Sequence, residues 1–376
     1  MSAHGLDVLF VVPSLEPGGA ERVVVNLANG LAGIDVTARV VTTGRLGTLA
    51  GQLAPSVTKD EIGAARVRGA ALAVLRHVRR RPPDVIIATH THLNLALCAM
   101  RPLLPRSVRL VIREPIHAPV ELEGRSTRWT RLAQRSLYPR ADAIIASSSE
   151  LAEDLLALTR GHVVRLENPV DVVAIRRSLE QGPVAPDPAG GRSIVSIGRL
   201  TRQKAMDELI DAFAAGSGPE DQLEIIGEGP ERGRLEDLIR ARGLTGRVSL
   251  PGQRDDHWRR LARADGFVLA SRAEGMPNAV LEALALGTPV IVTTDLTVLD
   301  ELRAEVGTPM LTAVPRERLA EAIAAIPIRP QSSPAPEALP GRFELPAVVA
   351  SLHAILVNVV VRGRTRCTPR PPQGSS

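Results

Sequence analysis

Aromatic side chains are scarce in this 376-residue chain, which has four Phe, two Trp and one Tyr. Proteins that hold single-stranded nucleic acid stack its bases on aromatic platforms. Phe10, Trp129, Tyr138, Phe213, Trp258, Phe267 and Phe343 are too scattered to build one, so no nucleic-acid partner is expected. Cysteine is scarcer still. Cys98 and Cys367 stand in unrelated contexts, which excludes a disulfide framework and a cysteine-based metal or redox motif. No charged-then-apolar signal segment is read at the start, and no run approaches the roughly 18 apolar residues of a membrane span. A reduced, cytoplasmic protein is the simplest expectation. Lysine is nearly missing as well: of 46 basic residues, Lys59 and Lys204 are the lysines. Arginine and lysine differ in shape, hydration and reach, so a lysine kept at 204 inside GRLTRQK stands out.

What is present is an apolar content of 44%, enough for sizeable cores, on a length that suits two ordinary domains. The net charge of +5 is uneven. Residues 1–188 carry 23 Lys+Arg against 18 Asp+Glu, and residues 189–376 carry 23 of each. A basic first half suits an anionic membrane surface or an acidic acceptor. Arg125, Arg128, Arg131 and Arg135 recur at helical spacing, and Arg76, Arg79, Arg80 and Arg81 cluster on an earlier helix. Such a face can rest on anionic lipid; the bland alternative is a solvated arginine face.

Strand-like and helix-like runs alternate. LDVLFVV (6–12), VTARVVTT (36–43), DVIIAT (84–89), RLVIRE (109–114) and ADAIIASS (141–148) read as buried parallel strands with helices between them. EQGPVAPDPAGG (180–191) interrupts the pattern as a linker, after which SIVSIGR (193–199), QLEIIGEG (222–229) and DGFVLAS (265–271) restart it. The expected fold is α/β, with two doubly wound Rossmann-like domains facing across a cleft. Its expected divisions are 1–180, a linker 181–191, a second domain 192–341, a helix 342–357 crossing back to the first domain, and a disordered basic tail 358–376.

Ligands on such sheets bind beyond the carboxyl ends of strands, where four loops qualify. PGGAE (17–21) offers Gly18 and Gly19, whose backbone approaches a phosphate without a Cβ in the way. It matches neither G-x-G-x-x-G nor a P-loop, so nicotinamide and Walker-type chemistry are disfavoured. GRLTRQK (198–204) leaves a strand at Gly198 and brings Arg199 and Lys204 toward one point, a planar fork and a point charge suited to a diphosphate. IIGEGPER (225–232) has glycines able to approach a base or ribose. EGMPNAVLEALALGTPVI (274–291) puts Glu274 before a helix start, Pro277 at its first position and Glu282 a turn inside. A helix N-terminus favours an anion, and carboxylates accept from hydroxyls, which suits a ligand with phosphates and several hydroxyls. A capped helix with a stray glutamate is the competing reading.

Together GGAE, NPVD (168–171), SIGRLTRQK, IIGEGPERGRLEDLI and EGMPNAVLEALALGTPVI resemble the retaining nucleotide-sugar glycosyltransferases of family 4, which have the two-Rossmann GT-B fold. The resemblance runs from about Leu6 to Val292. REPI (113–116), with EGMPN, is similar to the branch that assembles exopolysaccharides and lipid-linked glycans. The resemblance implies a hexosyltransferase-type enzyme moving a sugar from a nucleotide-diphosphate sugar to a glycan or polyprenyl-linked acceptor with retention, in cell-surface polysaccharide synthesis. It implies that Arg199, Lys204 and Glu274 act on the diphosphate and the transferred sugar. Gly18, Gly19, Gly198, Gly275, Met276, Pro277, Asn278 and Glu282 would hold the donor, Glu282 on the ribose. His90, His92, Arg113 and Glu114 are candidates for the acceptor side, and His117 lies further on. No D-x-D occurs, so no metal and no cofactor is expected; adjacent Asp255 and Asp256 read as a turn. The expected location is the cytoplasm, peripheral on the inner face of the plasma membrane. The sequence departs from the family at Ala205, where a glycine is usual, and at DLTVLDEL after Thr293, where a Gly-rich loop is usual. These departures keep open a non-catalytic nucleotide- or glycan-binding protein of the same fold, or a basic membrane-binding module.

Overall fold

The computed structural model describes residues 5–63, 67–116, 127–182, 190–329 and 337–365. Arg125, His117, most of the 181–191 linker and the end of the tail, with Cys367, lie outside the described residues. The chain divides into two compact units, one of Met1–Pro169 with Leu345–Ser376 and one of Val170–Glu344.

In the first unit seven strands are β1 (Asp7–Val12), β2 (Thr37–Thr42), β3 (Thr58–Glu61), β4 (Val85–Thr89), β5 (Arg109–Glu114), β6 (Ala143–Ala146) and β7 (Val163–Arg165). They form one parallel sheet in the order β3-β2-β1-β4-β5-β6-β7. Near-continuous apolar runs form the central strands because both faces are covered. Val8, Phe10 and Val12 join one core, with Val23, Leu27 and Leu31 of helix Gly19–Ala32 and Val348, Val349, Leu352 and Leu356 of helix Leu345–Thr365. Leu9 and Val11 point the other way. There they meet Val74, Leu93, Tyr138 and Leu151, contributed by helices Val67–Arg80, Thr91–Ala99 and Ser149–Thr159 and the turn after helix Thr127–Leu137. Cys98 is sealed in this second layer, where burial pushes its thiol up to about 12.

The second unit has β8 (Ser193–Ile197), β9 (Gln222–Ile226), β10 (Val248–Gly252), β11 (Gly266–Leu269), β12 (Val290–Thr293) and β13 (Leu311–Val314), all parallel, in the order β10-β9-β8-β11-β12-β13. Alternation again feeds two cores: Phe267 and Leu269 pack with helix Asn278–Ala285, Val268 with helix Met206–Gly216. Both units are therefore the doubly wound parallel sheets expected. In each, strand order reverses once, between β1 and β4 and between β8 and β11. These switch points open the crevice at the carboxyl edge that such sheets use for ligands.

The observed bounds differ from the expected ones in two places. The units part at Pro169/Val170, not within 181–191, because Val172 and Ile175 of helix Val172–Glu180 pack into the second core. The last helix does not end at 357; it runs to Thr365 because Val359 continues its buried stripe. By length and composition Leu345–Arg362 could cross a bilayer, contrary to the sequence reading. Here Val348, Val349, Leu352, Leu356 and Val359 instead fill the first core.

That helix approaches helix Gly19–Ala32 closely at Gly30, where an added Cβ would sit 2.3 Å from a Val349 methyl. Gly30→Val is expected to destabilise by roughly 1–3 kcal/mol, read as a lower urea midpoint at unchanged slope. Gly51→Ala, where nothing stands within 4 Å, serves as the neutral control.

Candidate functional site

The first four residues after β8 dock on the loop after β9, backbone to backbone. Gly198 N–H donates to Ile226 O, Leu200 N–H to Glu228 O and Glu231 N–H to Leu200 O. This closeness needs glycine. A Cβ on Gly227, at φ +149, would lie 1.9 Å from Gly198 O, and one on Gly229 2.3 Å from Leu200 O. The glycines of IIGEGP thus serve loop–loop packing. Gly198 lies beneath the lysine, where an added Cβ would stand 3.3 Å from the Lys204 stem.

A 3₁₀ turn at Arg202–Lys204 makes that return, and Ala205 follows in left-handed backbone at φ +47. A glycine would adopt this conformation freely, whereas alanine holds it at a cost of order 1 kcal/mol. Gln203 staples the turn to the neighbouring loop, its side chain donating to Ala273 O at 2.7 Å and its carbonyl accepting from Arg272 N–H at 2.8 Å. Lys204 Nζ consequently meets Glu274 Oε1 at 2.5 Å, with both side chains largely buried. Arg199 is exposed, and among the described residues nothing pairs with it. Gly275, Met276 and Pro277 are buried under the start of helix Asn278–Ala285, which no side chain caps. The unusual segment after Thr293 is tied down by Arg316, which pairs with Asp295 and Glu208 and donates to Ala270 O and Ser271 O.

Glu282, on the second turn of that helix, is 7% exposed and turns to a different neighbour from Glu274. Its Oε2 stands 3.9 Å from His257 Nε2. His257 opens helix His257–Arg263, after a turn clamped by charge: Arg254 grips Asp256 with two guanidinium nitrogens, and Arg260 reaches Asp256 and Glu224. The Arg254 hydrogen bonds, with help from Arg260, hold the Asp256 carboxyl down at about 2. Asp255 and Asp256 are a turn, as expected. Among the described residues no three His, Cys, Asp or Glu side chains come together at metal-binding spacing.

The first unit brings a second group to the β1/β4 edge. Gly18 precedes helix Gly19–Ala32, and Glu21 curls back so that its Oε2 fills the place of a Gly18 side chain. Glu21 Oε1 is 3.0 Å from His90 Nε2. His90 has φ +76, strained for a non-glycine residue, and its ring lies 6.0 Å from that of His92. Arg113 and Glu114, adjacent on β5, point to opposite faces. Arg113 is wholly buried and donates to Asn168 Oδ1 at 2.5 Å; burial lowers its guanidinium to about 10, against the pull of Glu114 and Glu21. Glu114 accepts from Thr91, Asn94 and Tyr138 deep between helices, so it serves as an interior anchor. Glu21, Asn168, Gln203 and His257 were not singled out in sequence. GGAE and NPVD contained the first two, but spacing alone did not pair Glu21 with His90 across 69 residues.

Residues 17–173 match the family model described as Glycosyltransferase Family 4, and residues 183–331 the model described as Glycosyl transferases group 1. The chain belongs to the glycosyltransferases of the GT-B fold. The lipopolysaccharide core biosynthesis glycosyltransferase LpsE of Rhizobium meliloti is 29% identical to it over 294 residues, 73% of this chain and 76% of the relative. A Campylobacter jejuni enzyme, N-acetylgalactosamine-N,N'-diacetylbacillosaminyl-diphospho-undecaprenol 4-alpha-N-acetylgalactosaminyltransferase, is 31% identical over 160 residues, 42% of each chain. Anabaena Alr3699/HepE, solved in complex with UDP-glucose, superposes with a TM-score of 0.69 at 18% identity, covering 96% of this chain and 99% of that one. At that identity the likeness is one of fold.

For this glycosyltransferase the Arg254–Asp256 clamp carries a pH signature. A folded pKa of about 2 against an ordinary 3.8 stabilises the fold by about 2 kcal/mol at neutral pH. That contribution is complete above the ordinary carboxylate range and is lost as pH falls through about 2. Asp256→Asn should therefore lower the urea midpoint at pH 7, and the gap from wild type should close on acidification.

Proposed function

We propose that the chain transfers a hexose from a nucleotide-diphosphate sugar to a hydroxyl of a glycan or polyprenyl-linked acceptor, retaining the anomeric configuration and needing no metal. The observation that carries this reading is the meeting of Lys204 with Glu274 one loop before Glu282. A buried ammonium and carboxylate in contact suit a ligand that offers anionic phosphate to the one and sugar hydroxyls to the other. The relatives' names support the setting, lipopolysaccharide core synthesis in one and a diphospho-undecaprenol acceptor in another. Cell-surface polysaccharide or glycoconjugate synthesis is the corresponding role here.

In the proposed reaction the bond from the anomeric carbon to the diphosphate oxygen breaks with its electron pair going to that oxygen. Lys204 and Arg199 stabilise the charge that develops there, the largest lever available when no metal assists. Glu274 and the backbone from Gly275 to Asn278 hold the sugar and Glu282 the ribose. The acceptor hydroxyl attacks the face the diphosphate leaves and gives its proton to the departing phosphate oxygen, so that no covalent enzyme intermediate forms. His90, His92 and Arg113 belong to the acceptor side in this reading.

A cytoplasmic protein resting on the anionic inner face of the plasma membrane would meet a lipid-linked acceptor. Trp129 is 73% exposed and Leu132 54%, between exposed Arg128 and Arg135. Segments 67–83, 91–108 and 127–141 contain no Asp or Glu, while helix Ser149–Thr159 on the same side of the first sheet carries Glu150, Glu153 and Asp154. Arg131 is the exception among the stripe's arginines, engaged by both Asp154 oxygens.

Calorimetric titration with UDP, GDP and ADP, then with their sugar conjugates in EDTA, tests the donor reading. One nucleotide should bind, and NMR of the product should show the donor's anomeric configuration. Lys204→Ala should lower turnover by about 10²–10³, and normal turnover would remove Lys204 from the mechanism. Glu282→Ala should weaken the bare nucleotide, whereas Glu274→Ala should spare it and weaken the sugar conjugate. Trp129→Glu should release the protein from phosphatidylglycerol vesicles in a sedimentation assay; undiminished binding would rule out this face.

A further inference from the structure

Two hydrogen-bond acceptors face each other in the second unit with no donor between them. His257 Nδ1 lies 2.9 Å from the carbonyl oxygen of Arg254. A carbonyl cannot donate, so Nδ1 carries the proton, and in that tautomer of the uncharged imidazole Nε2 presents a lone pair. That lone pair looks toward Glu282 Oε2 from 3.9 Å, beyond the reach of a hydrogen bond and well outside the 2.7–2.9 Å of a charged imidazolium–carboxylate contact. Among the described residues no other side chain or backbone group bonds to the Glu282 carboxylate. Both side chains keep slight exposure, 12% and 10%. The His257 ring lies 5.0 Å from that of Trp258, and the Arg254–Asp256 clamp precedes it in the chain.

We infer that His257 and Glu282 form a two-acceptor fork for the vicinal 2′- and 3′-hydroxyls of the donor's ribose, one hydroxyl donating to Nε2 and the other to the carboxylate. A cis-diol supplies two O–H donors on adjacent carbons, about the separation that two acceptors at this spacing call for. This rests on the donor-site reading above and adds to it a ribose-specificity residue. His257 is the first residue of helix His257–Arg263, 25 residues before Glu282 in the chain. A ligand with a single hydroxyl, or with a deoxyribose, leaves one acceptor desolvated and unpaired, the condition under which polar sites discriminate most strongly.

The experiment uses the full chain as wild type, His257→Ala, His257→Gln and Glu282→Gln. Each is titrated with UDP, GDP and ADP, and then with the 2′-deoxy and 3′-deoxy forms of whichever diphosphate binds wild type. His257→Ala should weaken the ribonucleotide about tenfold yet leave the affinity for one of the two deoxy forms unchanged, because the hydroxyl it holds is already missing there. Glu282→Gln should show the same insensitivity for the other deoxy form. His257→Gln keeps an acceptor oxygen and should recover part of the loss, and an unshifted thermal midpoint in that variant separates binding from folding. Equal weakening of all three ligands by His257→Ala, or no weakening of any, overturns the assignment while leaving the donor site standing. No binding of any diphosphate to wild type overturns the donor site itself, and the fork with it.

Discussion

The contact between Lys204 and Glu274 governs the second unit. Neither charge would sit where it does alone. A largely buried ammonium or carboxylate loses hydration worth several kcal/mol, and an opposite charge in hydrogen-bond contact restores much of it. Each residue is therefore the condition for the other's position, although 70 residues separate them in the chain. The same mutual dependence makes the pair a sensible place for a polar ligand. A phosphate beside the ammonium, or a hydroxyl on the carboxylate, would replace part of what the opposite charge supplies.

That contact stands on backbone geometry. The loops after β8 and β9 touch without side chains between them, since Gly227 and Gly229 leave room for Gly198 O and Leu200 O. Gly198 then leaves room for the lysine stem, and Gln203 fixes the distance to the Glu274 loop. Ala205 closes the turn in a conformation that glycine would take without cost. The family's usual residue there is a convenience that this chain forgoes while keeping the turn.

The central strands were legible because burial on both faces leaves a continuous apolar run, as in DVLFVV or GFVL. Strand β3 was not. Its TKDE is exposed throughout and is a strand because β2 offers an edge to pair with. The Pro/Gly-rich stretch at 181–191 looked like the domain boundary because composition is a local signal. The true division depends on which of two cores takes Val172 and Ile175, which no local signal reports. The pair Glu274 and Glu282 was legible since both lie within one loop and helix. The contact of Glu274 with Lys204 and the nearness of Glu282 to His257 were not, because tertiary packing alone brings these residues together. Arg113 and Glu114 read as one polar pair in REP, yet the alternation of a strand sends one to each face.

The first unit is assembled from two stretches of chain, because helix Leu345–Thr365 supplies a wall of its core after the whole second unit has intervened. Synthesis proceeds from the N-terminus, so the two units become complete in the reverse of their order in sequence. The second has all its residues once Glu344 has emerged, whereas the first lacks the wall of Val348, Val349, Leu352 and Leu356 until the last helix leaves the ribosome. A nascent chain of this design carries an exposed apolar surface for most of its translation, a window in which aggregation competes with folding. It also means that a stop shortly before residue 345 would spare the unit it lies nearest in sequence and cripple the one that begins at the other end.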